Sequence, residues 1–104
     1  MIKSKNSFVE YREKKKKILV VDDEKFNCDI FYSFLMLLGC KDRKEMCDFA
    51  YSGVDAVEAV KAGIENGEPE KYSVIFMDSS MPFMDGYEAT AQIRKMLQAC
   101  NAKV

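Results

Sequence analysis

The chain has 104 residues, 48% of them apolar, a formal net charge of −1 and no histidine. That length allows one domain at most, and the apolar content suffices for a packed core and excludes a disordered composition. The near-neutral balance gives no basic field for nucleic acid, and without histidine no Ser-His-Asp or Cys-His nucleophile can be assembled within the chain.

Cysteines 28, 40, 47 and 100 form no Cys-x-x-Cys pair. They read as reduced, mostly buried thiols in a cytosolic protein rather than as a zinc site or a disulfide framework. No apolar run reaches the length of a membrane span, and the lysine-rich start lacks a signal-peptide core, so a soluble, cytoplasmic protein without membrane insertion is expected.

Residues 1–16, MIKSKNSFVEYREKKK, form a charged N-terminal extension. Its lysines lie beside Glu10 and Glu13 without interleaved aromatics, which suits a solvated lead-in better than a nucleic-acid or membrane patch. KILVVDD, 17–23, is a continuous aliphatic run typical of a strand buried on both faces. From Glu24 to Leu38 the period becomes helical. Phe26, Ile30, Phe34, Leu37 and Leu38 share a stripe that Phe31 and Leu35 widen, and Gly39 supplies the stop.

MCDFAYSG, 46–53, reads as a shorter second strand. Ser52 and Asp55 have capping-box-like spacing and open a helix through Val54, Val57 and Val60 that is expected to end at Gly63. A loop over 65–71 follows, then a third buried strand, YSVIFMD. Asp85 and Glu88 open a last helix carrying Ile93, Met96 and Leu97. The order β-α-β-α-β-α implies an α/β fold, a doubly wound parallel sheet built from right-handed crossovers.

In such sheets functional groups gather at the carboxyl ends of the strands. Asp22 and Asp23 end the first strand and Asp78 ends the third. If those strands are neighbours, three acids converge. Two like charges about 5 Å apart repel by roughly 3 kcal/mol at an effective dielectric of 20, so the cluster needs compensation. Oxygen ligands of this kind suit Mg²⁺ together with phosphate oxygens. Taken singly, each acid would be read as a helix or turn cap; acids on both strand ends favour a site. Asp85 is assigned to capping alone, Met81 and Pro82 to shaping the loop, and Met84 to packing.

ILVVDDE at 18–24, AYSGVDAVEAV at 50–60 and MDSSMPFMDG at 77–86 resemble the receiver (response-regulator) domain of two-component phosphorelays, and YEATAQIRK is especially like receivers fused to hybrid histidine kinases. The resemblance runs over 17–104 and implies a flavodoxin-like fold. It implies that Asp78 is the phosphoacceptor, that Asp23 ligates Mg²⁺ directly, that Asp22 holds it through water, and that the backbone carbonyl of Ser80 completes the metal site. The phosphodonor implied is a partner phosphohistidine, on a histidine kinase or histidine phosphotransfer protein. The domain itself is implied to be a signalling module and not an enzyme.

The sequence departs from the family in extent. A full receiver has five βα units, and this sequence supplies three, with NAKV at 101–104 resembling the start of a fourth strand. The family's hydroxyl residue and lysine from strands four and five fall past Val104. In a 2-1-3 sheet the third strand would be an apolar edge, a template for pairing with another chain. Completion by a second chain is therefore expected, most simply a homodimer through strand three or exchanged elements. The competing expectation is a phosphorylation-incompetent fragment acting as a dimerisation or interaction module. An aspartyl phosphohydrolase is disfavoured because Ser80 stands where a second acid is wanted.

Overall fold

A computed structural model describes residues 16–40 and 42–102. Most of the charged extension, and the last two residues of NAKV, lie outside the described residues. The elements are β1 (Lys17–Val21), α1 (Lys25–Leu37), α2 (Arg43–Met46), β2 (Cys47–Ala50), α3 (Gly53–Glu65), β3 (Tyr72–Met77) and α4 (Gly86–Ala99). The three strands form a parallel sheet in the order β2-β1-β3. The parallel sheet is the one expected from the alternation of strand and helix periods, and its order is the flavodoxin-like one that the receiver resemblance implies.

β1 is the central strand, and Leu19, Val20 and Val21 are all buried, which accounts for its unbroken aliphatic sequence. The register aligns Val21 with Ala50 on one side and with Met77 on the other. Leu19, Val21, Ala50, Ile75 and Met77 therefore share one face. There they meet Ala56 and Val60 of α3 and Ile93 and Leu97 of α4 in a single core cluster. The opposite face carries α1, with Phe31 against Phe76 at 5.4 Å between ring centroids and Tyr32 edge-on to Phe49 at 6.1 Å.

The third strand, expected to be buried, is an edge in which only Tyr72 is fully buried, and three further expectations change. The stripe of Phe26, Ile30, Phe34, Leu37 and Leu38 does not face the sheet, and all five side chains are exposed. Cys28 and Leu35 are buried there instead, with Phe31 and Tyr32 half-buried on either side of them. The helix is apolar around most of its circumference, and the volume available above β1 selects which flank packs. Second, α3 passes Gly63 and ends at Glu65. Gly63 is buried, and a Cβ there would stand 3.1 Å from the Glu68 carbonyl oxygen. It provides close packing, while Gly67 at φ +79 provides the reversal. Third, only Cys28 and Cys47 are buried; Cys40 is half-buried and Cys100 exposed. The one-turn helix α2 had no signal in the periodicity.

At the amino edge of the sheet a polar cluster ties the three strands. Asp48 of β2 accepts from the Tyr72 hydroxyl of β3 at 2.6 Å and from Lys17 Nζ of β1 at 3.1 Å, with Lys71 Nζ at 3.6 Å. A register irregularity at Lys17/Ile18 lets Tyr72 turn into the core although it precedes the outward-facing Val74 by two residues. Among the described residues, no helix is long and apolar enough to cross a membrane.

Candidate functional site

The site is built by the last rungs of the ladder. Beyond the strands proper, the Asp22 amide donates to the Ala50 carbonyl at 3.1 Å and the Asp78 amide to the Val21 carbonyl at 2.9 Å. Because Val21 is aligned with Met77, the next residues, Asp22 and Asp78, must emerge side by side at the carboxyl edge. Asp23 follows on the turn into α1. The three carboxylates each place an oxygen within 4.8 Å of the others. Among the described residues, none of the three is ion-paired with a lysine or arginine.

The three acids are held differently. Asp22 has both oxygens engaged, Oδ1 by the Glu24 amide at 2.9 Å and Oδ2 by the Asn27 side-chain amide at 3.1 Å. Asp78 accepts at Oδ1 from the Ser80 amide at 3.3 Å, which leaves Oδ2 without a protein partner among the described residues. Asp23 is exposed, and its carboxylate has no hydrogen bond among them. One acid is thus fixed, one half-fixed and one open. A cleft of about 320 Å³ adjoins Asp22 and Asp78, bounded by Asn27, Phe31, Phe76 and Met77. A larger groove, about 730 Å³, runs along the open side of β3, away from the acids.

The loop between β3 and α4 sits on two glycines. A Cβ on Gly86 would overlap the Asp78 carbonyl oxygen, and one on Gly53 would stand 2.6 Å from the Met84 carbonyl oxygen. The Gly86 amide bonds the Ser79 carbonyl at 3.1 Å, closing the loop over the strand end. Met81 is buried in the core cluster, and Asp85 caps α4 by accepting from the Glu88 amide at 2.9 Å. Asn27, Gly53 and Gly86 were not singled out as site residues by sequence reasoning. The amide at Asn27, one turn into a helix that begins beside an acid pair, was a usable signal. The closeness of Gly53 to Met84 is tertiary and had none.

Residues 18–102 match the response regulator receiver domain family, and the chain belongs to it. A stretch of 84 residues is 44% identical to hybrid signal transduction histidine kinase B of Dictyostelium discoideum, spanning 81% of this chain and 4% of that protein. A stretch of 87 residues is 40% identical to histidine kinase CKI1 of Arabidopsis thaliana, spanning 78% of this chain and 7% of that one. Among solved structures, the receiver domain of CKI1 in complex with Mg²⁺ and BeF₃⁻ superposes with a TM-score of 0.69 at 32% identity, over 85% of this chain and 60% of that one. The chain therefore spans about three fifths of that solved receiver and a small part of the kinases. It is a receiver domain of two-component signalling, of the kind found in hybrid histidine kinases.

Proposed function

We propose that Asp78 is a phosphoacceptor, in a receiver module occupying 17–104. One Asp78 oxygen attacks the phosphorus of a partner's phosphohistidine. The P–O bond forms as the P–N bond breaks, and the imidazole leaves with the electron pair and takes up a proton from solvent. The observation that carries this reading is the convergence of Asp22, Asp23 and Asp78, with one Asp78 oxygen free of protein partners among the described residues.

The donor set fits Mg²⁺: oxygen atoms only, two of the carboxylates with oxygens free to ligate, and no competing cation among the described residues. Asp23 and Asp78 would hold the ion directly, Asp22 through water because both its oxygens are occupied, and the Ser80 backbone carbonyl would complete the set. Bound there, Mg²⁺ offsets the charge that spreads over the phosphoryl oxygens during transfer. The solved CKI1 receiver complex with Mg²⁺ supports this choice of ion. The partner is a histidine kinase or histidine phosphotransfer protein in the cytoplasm, and the module accepts the phosphoryl group without turning over a substrate.

The test is incubation with Mg²⁺ and a small acyl phosphate, followed by intact mass. Wild type gains one phosphoryl group and Asp78→Asn gains none. An unlabelled wild type, under conditions that label the CKI1 receiver, favours the alternative of an interaction module that is not phosphorylated.

A specific observation also favours association of two copies. β3 is an edge strand whose Val74 and Phe76 are 42% and 49% exposed, and it carries no proline or lysine to discourage pairing. The 730 Å³ groove beside it combines the apolar Val74, Ile75, Ile93 and Leu97 with the cations Lys16 and Arg94. We propose that β3 of a second copy pairs along this edge.

A further inference from the structure

Phe83 stands in the left-handed region at φ 69. Side chains with a Cβ rarely occupy that region, and a bulky aromatic does so at a cost that glycine or asparagine would avoid. Its ring is fully exposed, at 104%, so no contact within the fold offsets the cost. The residue lies in the short connection that begins at Asp78 and ends at the α4 cap, Asp85. The flanking methionines are fixed: Met81, two residues before it, is buried, and Met84, directly after it, lies against Gly53. The connection therefore holds Phe83 outward on an anchored base. Other exposed aromatics emerge from the same edge of the sheet, namely Phe26 at the start of α1, Tyr51 after β2 and Tyr87 in the first turn of α4.

We propose that Phe83 is a docking anchor for the protein that delivers the phosphoryl group, and that it discriminates a protein phosphodonor from a small one. The inference rests on Asp78 being the phosphoacceptor, because a donor whose histidine reaches Asp78 must cover the loop that carries Phe83. A rigid, exposed aromatic beside a polar reaction centre is the kind of group that becomes the desolvated centre of an interface. A small phosphodonor has no surface for it to engage.

The experiment compares wild type with Phe83→Gly and Phe83→Asn, both of which tolerate the left-handed backbone. Phosphoimidazole is the small donor, and a purified, phosphorylated histidine phosphotransfer protein that labels the CKI1 receiver is the protein donor. The ratio of the second-order rate constant for labelling by the protein donor to that for phosphoimidazole falls about tenfold or more in both variants. Calorimetric affinity for the unphosphorylated protein falls by a similar factor, and thermal stability does not decrease. An unchanged ratio, an unchanged affinity, or no measurable affinity of wild type for that protein overturns the proposal. If neither donor labels wild type, the phosphoacceptor reading fails, while the affinity comparison still decides the role of Phe83.

Discussion

At the scale of single residues, the carboxylates of the cluster are the same chemical group made different by their partners. The Glu24 amide and Asn27 hold Asp22, one amide holds Asp78, and no described residue holds Asp23. Replacing Asn27 by alanine frees one oxygen of Asp22 and is expected to weaken Mg²⁺ binding less than Asp23→Asn does, a ranking that calorimetric titration checks. Gly86 is the glycine least able to accept a side chain, because a Cβ there would overlap the Asp78 carbonyl oxygen. Gly86→Ala is expected to cost about 1–3 kcal/mol of stability and to displace Asp78. Denaturant unfolding reads the first effect, and slower labelling by an acyl phosphate reads the second. Gly53→Ala presses on Met84 instead and is expected to show a smaller stability loss. The acids were legible in the sequence because each ends an aliphatic run. The glycines' closeness to Asp78 and Met84 was not, since it depends on elements brought together only by the fold.

At the scale of elements, the sheet is fastened at both edges by different means. At the carboxyl edge the Asp22 and Asp78 amides extend the ladder; at the amino edge Asp48 gathers Tyr72, Lys17 and Lys71. Burial alone would raise the Asp48 carboxyl, but hydrogen bonds from Tyr72 and Lys17 and the charges of Lys17 and Lys71 outweigh it and hold it below its ordinary value. Burial, followed by the hydrogen bond to Asp48 and its charge, pushes the Tyr72 phenol above its ordinary value.

The signs give opposite limbs. A carboxyl depressed by folding contributes stability that is present above its unfolded value and lost as pH falls through its folded value. A phenol raised by folding contributes stability that is present below its unfolded value and lost as pH rises through its folded value. Tyr72→Phe is therefore expected to lower stability by about 1–2 kcal/mol at neutral pH and to flatten both the acid limb below about pH 4 and the alkaline limb above about pH 10. Thermal melts across pH check this.

Period and capping signals located every strand and the three long helices, because those are properties of neighbours in sequence. They could not select the packed flank of α1, which is apolar on Phe31 and Leu35 and also on Phe26, Phe34 and Leu37. Nor could they separate a stopping glycine from a packing glycine at Gly63, since both signals are the absence of a side chain.

At the scale of the whole molecule, one sheet face is covered by α3 and α4 while the other carries α1. Val74 and Phe76 stay half-exposed beside that helix, and the outer apolar residues of α1 itself are exposed. Light scattering at micromolar concentration is expected to show a dimer, and Val74→Lys on β3 is expected to return it to monomer; a compact monomer for wild type contradicts the pairing. None of this alters the chemistry at the carboxyl edge, which depends only on β1 and β3 being neighbours in the observed register. The most direct test is a Mg²⁺ titration followed by backbone amide resonances, on wild type and Asp23→Asn. Saturable shifts centred on Asp22, Asp23, Asp78 and Ser80, abolished by the substitution, are the predicted result. Shifts absent from those residues, or identical in the two proteins, would contradict a shared ion at the strand tips.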